Sequence, residues 1–203
     1  MNTPLILFLI ATVIPVFFGK IQAAPLWLCL QALALGWTTL SLRGELSLHT
    51  LGAGLETIAV RAWLVPLLLR RTLARQTQAH LDLMPSNLFA WGVAIALIIL
   101  AFKFGDGSRT DARALTLGVI AATVMIALLI LSTNDAPTAQ LVALLFMENA
   151  LALFEALMPE PWPLPVHGAL SAVYILTFAV GNWLVGHHAP APLTGQEQVK
   201  EIA

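Results

Sequence analysis

The stretch that decides the fold is AQLVALLFMENALALFEALM, residues 139–158, an apolar run long enough for a membrane-spanning helix. Glu148 lies near its centre, with about nine residues, or roughly 14 Å of helical rise, on either side. An ionisable side chain at mid-span costs about 2.5–3.5 kcal/mol on insertion scales. Such residues normally face a bundle interior or a water-filled path and mark function. The sequence therefore predicts a functional carboxylate inside a membrane.

Two further polar residues of this run accompany Glu148. Asn149 follows it directly, and Glu155 comes seven residues later, almost two helical turns on and back on the same face. One helix face is thus expected to carry two carboxylates. The alternative is that Glu148 only ties helices together by hydrogen bonds, as polar residues in membrane bundles often do.

The composition of the whole chain sets its class. Of its 203 residues, 59% are hydrophobic and 10% are charged, against about 45–50% and 25% in soluble domains. The sequence therefore predicts an all-α integral membrane protein in the lipid bilayer, with one helical domain at residues 1–188 and a polar tail at 189–203. The net charge of −1 gives no indication of a nucleic-acid partner.

Seven apolar runs predict seven transmembrane helices. They cover residues 5–19, 25–42, 51–69, 88–104, 114–132, 139–158 and 168–186. Arg70, Arg71 and Arg75 cluster directly after the third run, which under the positive-inside rule predicts a cytoplasmic loop. The amino terminus is then expected outside and the carboxyl terminus in the cytoplasm.

Polar residues also interrupt the second and third runs, which contain Gln31 and the pair Glu56 and Arg61 respectively. Arg61 lies nine residues, about 14 Å, from Arg70, which is deep for snorkelling to that interface. In an α-helix, Glu56 and Arg61 would lie about 140° apart. Each is therefore expected to face another helix. The alternative is a purely structural pairing of Arg61 with Glu56 or Glu148.

Residue types that the chain lacks exclude several function classes. None of the five histidines falls in an apolar run, which excludes paired haem ligands, and the seventh run has no lysine for a retinal Schiff base. No cysteine cluster, phosphate-binding glycine loop or membrane-depth Ser-His arrangement occurs. No catalytic residue, cofactor or metal site is therefore predicted. The remaining candidates for a proton relay are Glu148, Arg61, Glu155, Glu56, Asn149 and Gln31.

A short internal repeat relates the second and sixth runs. QALAL at residues 31–35 resembles NALAL at residues 149–153. This would make runs one to three and five to seven related three-helix units.

Two segments resemble a known family. LLFMENALALFEAL at residues 144–157 and WLVPLLLRRTLAR at 63–75 resemble a family of membrane subunits of hydrogenase-4 and formate hydrogenlyase complexes, which is related to the K-type membrane subunit of respiratory complex I. The likeness runs from about residue 26 to residue 182. It implies two K-type three-helix repeats plus a linking helix, and it implies that Glu148 matches the key membrane glutamate of the K-type subunit.

By this resemblance, the chain would be a non-catalytic membrane-arm subunit of a complex-I-related energy-converting hydrogenase, with carboxylates that serve redox-coupled proton translocation. Implied partners are antiporter-like and quinone-channel-like membrane subunits and a peripheral hydrogenase-like module, in a bacterial or archaeal cytoplasmic membrane. The alternatives are a structural scaffold subunit of such a complex and an autonomous small-solute transporter.

The chain departs from this family pattern at two positions. Arg61 stands where the family usually has lysine, and an arginine does not lose its proton in proteins. The second acidic position falls near residues 171–172, where there is no carboxylate. Glu155 or Glu56 would then take its place, or the subunit would transmit charge without carrying a whole proton path.

Overall fold

All named elements of the structure, a computed structural model, are helices. It describes residues 3–43, 48–74, 82–84, 87–104, 111–158 and 163–187. The helices are α1 Thr3–Phe18, α2 Ala24–Arg43, α3 Leu48–Glu56, α4 Val65–Leu73, α5 Leu88–Phe104, α6 Ala112–Thr133, α7 Pro137–Glu155 and α8 Leu164–His187. A π-helical segment, Thr57–Leu64, joins α3 to α4. We call these three pieces together the third span.

The predicted all-α class is confirmed for the described residues, and helical segments cover most of each predicted apolar run. In the described part of the chain, five helices are long and apolar enough to cross a membrane. They are Ile21–Ser41, Leu51–Leu73, Ala112–Thr133, Pro137–Glu155 and Gly168–His187. Two apolar helices, Thr3–Phe18 and Leu88–Lys103, are shorter. These lengths indicate a multi-pass membrane protein, and the structure supports five spans by this measure where the sequence predicts seven.

Large apolar side chains cover the outside of the bundle as well as its core. Phe89 of α5 is 82% exposed and Leu176 of α8 is 60% exposed, while Phe146 of α7 is completely buried. A helix that is apolar on all sides is typical of a core or membrane environment. This distribution matches helices that face lipid outside and one another inside.

The central helix of the bundle is α7. It packs against α6, α8 and α2, while α2 packs against α1 and the third span. Helix α1 also contacts α6, and α5 packs against α6. Residues in the middle of α7 therefore meet side chains from several other helices.

Asparagine side chains bond the backbone at or just before the start of two helices. The Asn87 side-chain oxygen accepts a hydrogen bond of 2.7 Å from the Ala90 N–H at the start of α5. The Asn134 side-chain oxygen accepts one of 3.0 Å from the Ala136 N–H, directly before Pro137 at the first position of α7. Helix α5 thus begins after a capping asparagine, and α7 begins with a proline.

Part of the predicted polar sequence lies outside the described residues. Arg70 and Arg71 lie in the last turn of α4, where positive side chains complement the helix dipole. Arg75 of the predicted cytoplasmic cluster and the tail at 189–203 are outside the described ranges. The predicted orientation of the chain in a membrane stays a prediction.

Candidate functional site

The third span changes its helical geometry around Pro66. Proline has no N–H and its ring would clash with the carbonyl four residues earlier, so a regular α-helical ladder cannot continue through it. Here the preceding turn widens, and the Val65 N–H bonds the Val60 carbonyl, five residues back. The result is the π-helical segment Thr57–Leu64. Such segments often occur at functional sites.

This widening brings Glu56 and Arg61 together. A π-helix rotates less per residue than an α-helix, so residues five apart lie on the same side of it, and the Arg61 Nε atom is 3.8 Å from the Glu56 Oε1 atom. The prediction that Glu56 and Arg61 lie on different sides of their helix was therefore wrong. It assumed 100° per residue, whereas the π-helical turn rotates less per residue.

Arg61 also faces other helices, as predicted. Its side chain is 4% exposed, and its Nη1 atom donates to the Asn149 side-chain oxygen at 3.2 Å and to the Glu148 main-chain carbonyl at 3.3 Å. Its guanidinium carbon lies 4.4 Å from the ring centre of Tyr174. The third span, α7 and α8 thus all contribute contacts to this one buried cation.

Asn149 extends the network to α2 and α1. Its Nδ2 atom donates to the Gln31 Oε1 atom at 2.9 Å, and the Gln31 Nε2 atom donates to the Thr12 hydroxyl at 2.7 Å. The Thr12 hydroxyl donates in turn to the Phe8 carbonyl at 3.2 Å. Thr12, Gln31 and Asn149 are all completely buried. A buried network whose members have partners fixes the arrangement of its helices.

Among the contacts of the described residues, the Glu148 carboxyl group bonds Thr177 and not the Arg61 guanidinium group. Its Oε1 atom accepts a 3.0 Å hydrogen bond from the Thr177 hydroxyl of α8, and the side chain is half-buried. The arginine contacts the main-chain oxygen of the same residue. The Glu148 carboxyl group therefore bonds α8 through Thr177, while the Arg61 guanidinium group bonds α7.

Glu155 and Glu56 share a small cavity beside Arg61. Glu155 is 3% exposed, and the cavity also has Thr57 and Thr39 in its wall. Its volume of about 20 Å³ is enough for one water molecule, which needs about 10–15 Å³. The two carboxylates of α7 therefore have different surroundings, since Glu148 bonds Thr177 and Glu155 lines this cavity.

All six predicted site residues lie around this region, which we call the Arg61 network. Its members are Gln31, Glu56, Arg61, Glu148, Asn149 and Glu155. The sequence reasoning missed Thr12, Tyr174 and Thr177. Tyr174 is the single tyrosine of the chain, and a lone aromatic hydroxyl in an apolar span was the available signal.

Within the described ranges, no group of three or more His, Cys, Asp or Glu side chains could hold a metal ion. Comparison with known proteins gives no match to a family model, to a curated protein or to a solved structure.

Proposed function

We propose that this chain is a non-catalytic membrane-arm subunit of a complex-I-related energy-converting hydrogenase of the hydrogenase-4 or formate hydrogenlyase type. In this proposal its buried carboxyl groups take part in redox-coupled proton translocation. The observation that carries it is the buried Arg61 with Glu56 at 3.8 Å and with the main chain of Glu148 at 3.3 Å, inside an apolar bundle.

The charge balance of the network supports a role in proton handling. One arginine stands among three carboxyl groups, Glu56, Glu148 and Glu155, so complete ionisation would leave a net charge of −2 in the apolar bundle. Uncompensated charge is strongly disfavoured in such surroundings. Binding a proton at one of these carboxyl groups would remove part of that charge, so a change in nearby charge could change the number of protons that the network binds.

Arg61 acts in this mechanism as a fixed positive charge. Its guanidinium group stays protonated in proteins, so the carboxyl groups and not the arginine exchange protons. Redox chemistry in partner subunits would change the electric field near Glu148. Proton uptake or release at that carboxyl group would follow, with Arg61 stabilising the ionised form.

The positions of the carboxyl groups suggest a route from mid-span toward one side. Glu155 lies seven residues beyond Glu148 on α7, about 10 Å of helical rise. Glu56 lies near the start of the third span, at the end opposite Arg70, and lines the same cavity as Glu155. In the predicted orientation, this cavity lies on the outer side of the membrane.

Two structural features agree with the resemblance to K-type subunits. The contacts of α2 with α1 and the third span parallel those of α7 with α6 and α8, as two three-helix repeats linked by α5 would require. Leu170, next to the position where the family has its second acid, lines the cavity that holds Glu56 and Glu155. In this proposal, Glu56 or Glu155 would take the place of that second acid.

The test is the Glu148→Gln variant in the intact membrane complex. Inverted membrane vesicles are supplied with the electron donor, and proton uptake is followed with a pH-sensitive dye alongside the redox rate. We expect the protons moved per electron to fall, because glutamine keeps the shape and cannot titrate. Glu148→Asp is the matched control and should retain more of the wild-type ratio of protons to electrons than Glu148→Gln does. An unchanged ratio in Glu148→Gln would refute the role of this residue.

A scaffold function is the second candidate. The hydrogen bonds that join Thr12, Gln31 and Asn149 favour it, because they connect three helices through side chains that all have partners. In that case Glu148→Gln would leave proton movement unchanged, while Asn149→Leu would impair assembly. Purification separates both from an autonomous transporter. A pump component or scaffold should co-purify with large partners, whereas a transporter should be active alone.

A further inference from the structure

Tyr174 packs directly against the cation of the Arg61 network. Its side chain is completely buried in α8, and its ring faces the guanidinium group of Arg61 at 4.4 Å. Its hydroxyl lies beside the Asn149 amide but makes no well-aligned hydrogen bond to any residue in the described part of the chain. An unpaired buried hydroxyl is unfavourable. The close polar contact that the structure shows for this side chain is therefore the one between its ring and the Arg61 guanidinium group.

The ring restricts where the arginine can lie. A cation over an aromatic face is attracted by the electron-rich ring, and the attraction is stronger where water is excluded. With one face of the guanidinium covered by Tyr174, the Nη1 and Nε atoms point at Asn149 and Glu56.

The same helix also holds the Glu148 carboxyl group. Thr177 comes three residues after Tyr174, on the neighbouring part of the same face of α8, and donates to the Glu148 Oε1 atom at 3.0 Å. Helix α8 thus contacts the cation through one side chain and the acid through another.

We propose that Tyr174 is a positioning residue that keeps Arg61 on the side of Glu56 and Asn149, so that Glu148 stays bonded to Thr177 instead of forming a direct ion pair. A direct pair would hold Glu148 in its ionised form and prevent proton uptake. This inference rests on the proposed proton-translocating function. The charged groups around the ring are Arg61 and Glu56 of the third span and Glu148 of α7.

The test changes the electronics of the ring and keeps its shape. Tyr174→Phe retains an electron-rich face, whereas pentafluorophenylalanine introduced at residue 174 has nearly the same shape and an electron-poor face. Both variants are measured in the assembled membrane complex. We expect Phe to retain the wild-type ratio of protons to electrons and the fluorinated side chain to lower it several-fold, with normal amounts of complex. Equal ratios in the two variants would overturn the proposal.

A second readout does not depend on proton translocation. Nuclear magnetic resonance of the full chain in nanodiscs, with ¹⁵N-labelled arginine, reports the side chain of Arg61, and Arg61→Lys assigns its signal. The signal should be shifted by the ring current in the wild type and in Tyr174→Phe, and should move in the fluorinated variant. An Arg61 signal that is the same in all three proteins would contradict the positioning role. Normal translocation in Glu148→Gln would instead refute the proposed function and leave this result standing.

Discussion

Replacing Arg61 with methionine tests the network most severely. Methionine keeps much of the side-chain length but leaves Glu56 without its cation and the Asn149 oxygen without its donor. Removing one partner of a buried ion pair costs about 3–5 kcal/mol. Each hydrogen bond to a charged group contributes about 1.5–3 kcal/mol, and these contributions overlap because one guanidinium makes them all. We therefore expect Arg61→Met to lower the free energy of unfolding by about 3–5 kcal/mol.

The assay is reversible unfolding of the purified chain in mixed micelles, followed by the fluorescence of its 6 tryptophans. Arg70→Met is the matched control, because Arg70 is exposed at the end of α4 and such surface changes usually stay within about 0.5 kcal/mol. Adding Glu56→Gln to Arg61→Met should restore part of the loss, since it removes the carboxylate that has lost this cation. A loss below about 1 kcal/mol for Arg61→Met, or no recovery in the double variant, would refute this reasoning.

Three further changes have definite expected outcomes. Pro66→Ala restores the missing N–H, so the turn before it should return to α-helical geometry and separate Glu56 from the arginine; a double-mutant cycle should then find little coupling between that pair. Thr177→Val should lower the unfolding free energy by about 1 kcal/mol, and the loss should disappear when Glu148 is also changed to leucine. Asn149→Leu leaves the Gln31 side-chain oxygen without its donor and removes one acceptor of Arg61, so it should lower the melting temperature of the purified chain more than either other change.

The all-helical class and the approximate bounds of the apolar runs were predictable from the sequence, while five rather than seven of the described helices are long and apolar enough to cross a membrane. Apolar length dominates the free energy of a membrane segment, so the run at residues 139–158 corresponds closely to α7, Pro137–Glu155. The depth of Arg61 was also sufficient to predict that it faces other helices, because an unpaired cation in an apolar bundle is strongly unfavourable.

The pairing of Glu56 with Arg61 could not be read from α-helical periodicity. The sequence reasoning placed the two about 140° apart, whereas Pro66 widens the preceding turn and brings them to 3.8 Å. Proline marks a break in regular bonding, but its position alone does not say whether a helix kinks, ends or takes up an extra residue. That outcome is decided by how the surrounding helices pack.

The contacts that α8 makes with Arg61 and Glu148 were likewise not predictable from the sequence. Tyr174 and Thr177 have no motif around them, and their partners Arg61 and Glu148 are on other elements. Such contacts depend on the rotation of α8 against α7, which the sequence of α8 alone does not specify. Carboxylates and arginines stand out in an apolar run because of their energetic cost, whereas a tyrosine or threonine does not.

The central claim is that the Glu148 carboxyl group changes its protonation state while the complex turns over. Infrared difference spectroscopy of the assembled complex, triggered by electron donor, measures this directly through the C=O stretch of a protonated carboxyl group. We predict a carboxyl band that appears or disappears on turnover in the wild type and is absent in Glu148→Gln. A spectrum in which the wild type and Glu148→Gln show the same carboxyl bands would contradict the account.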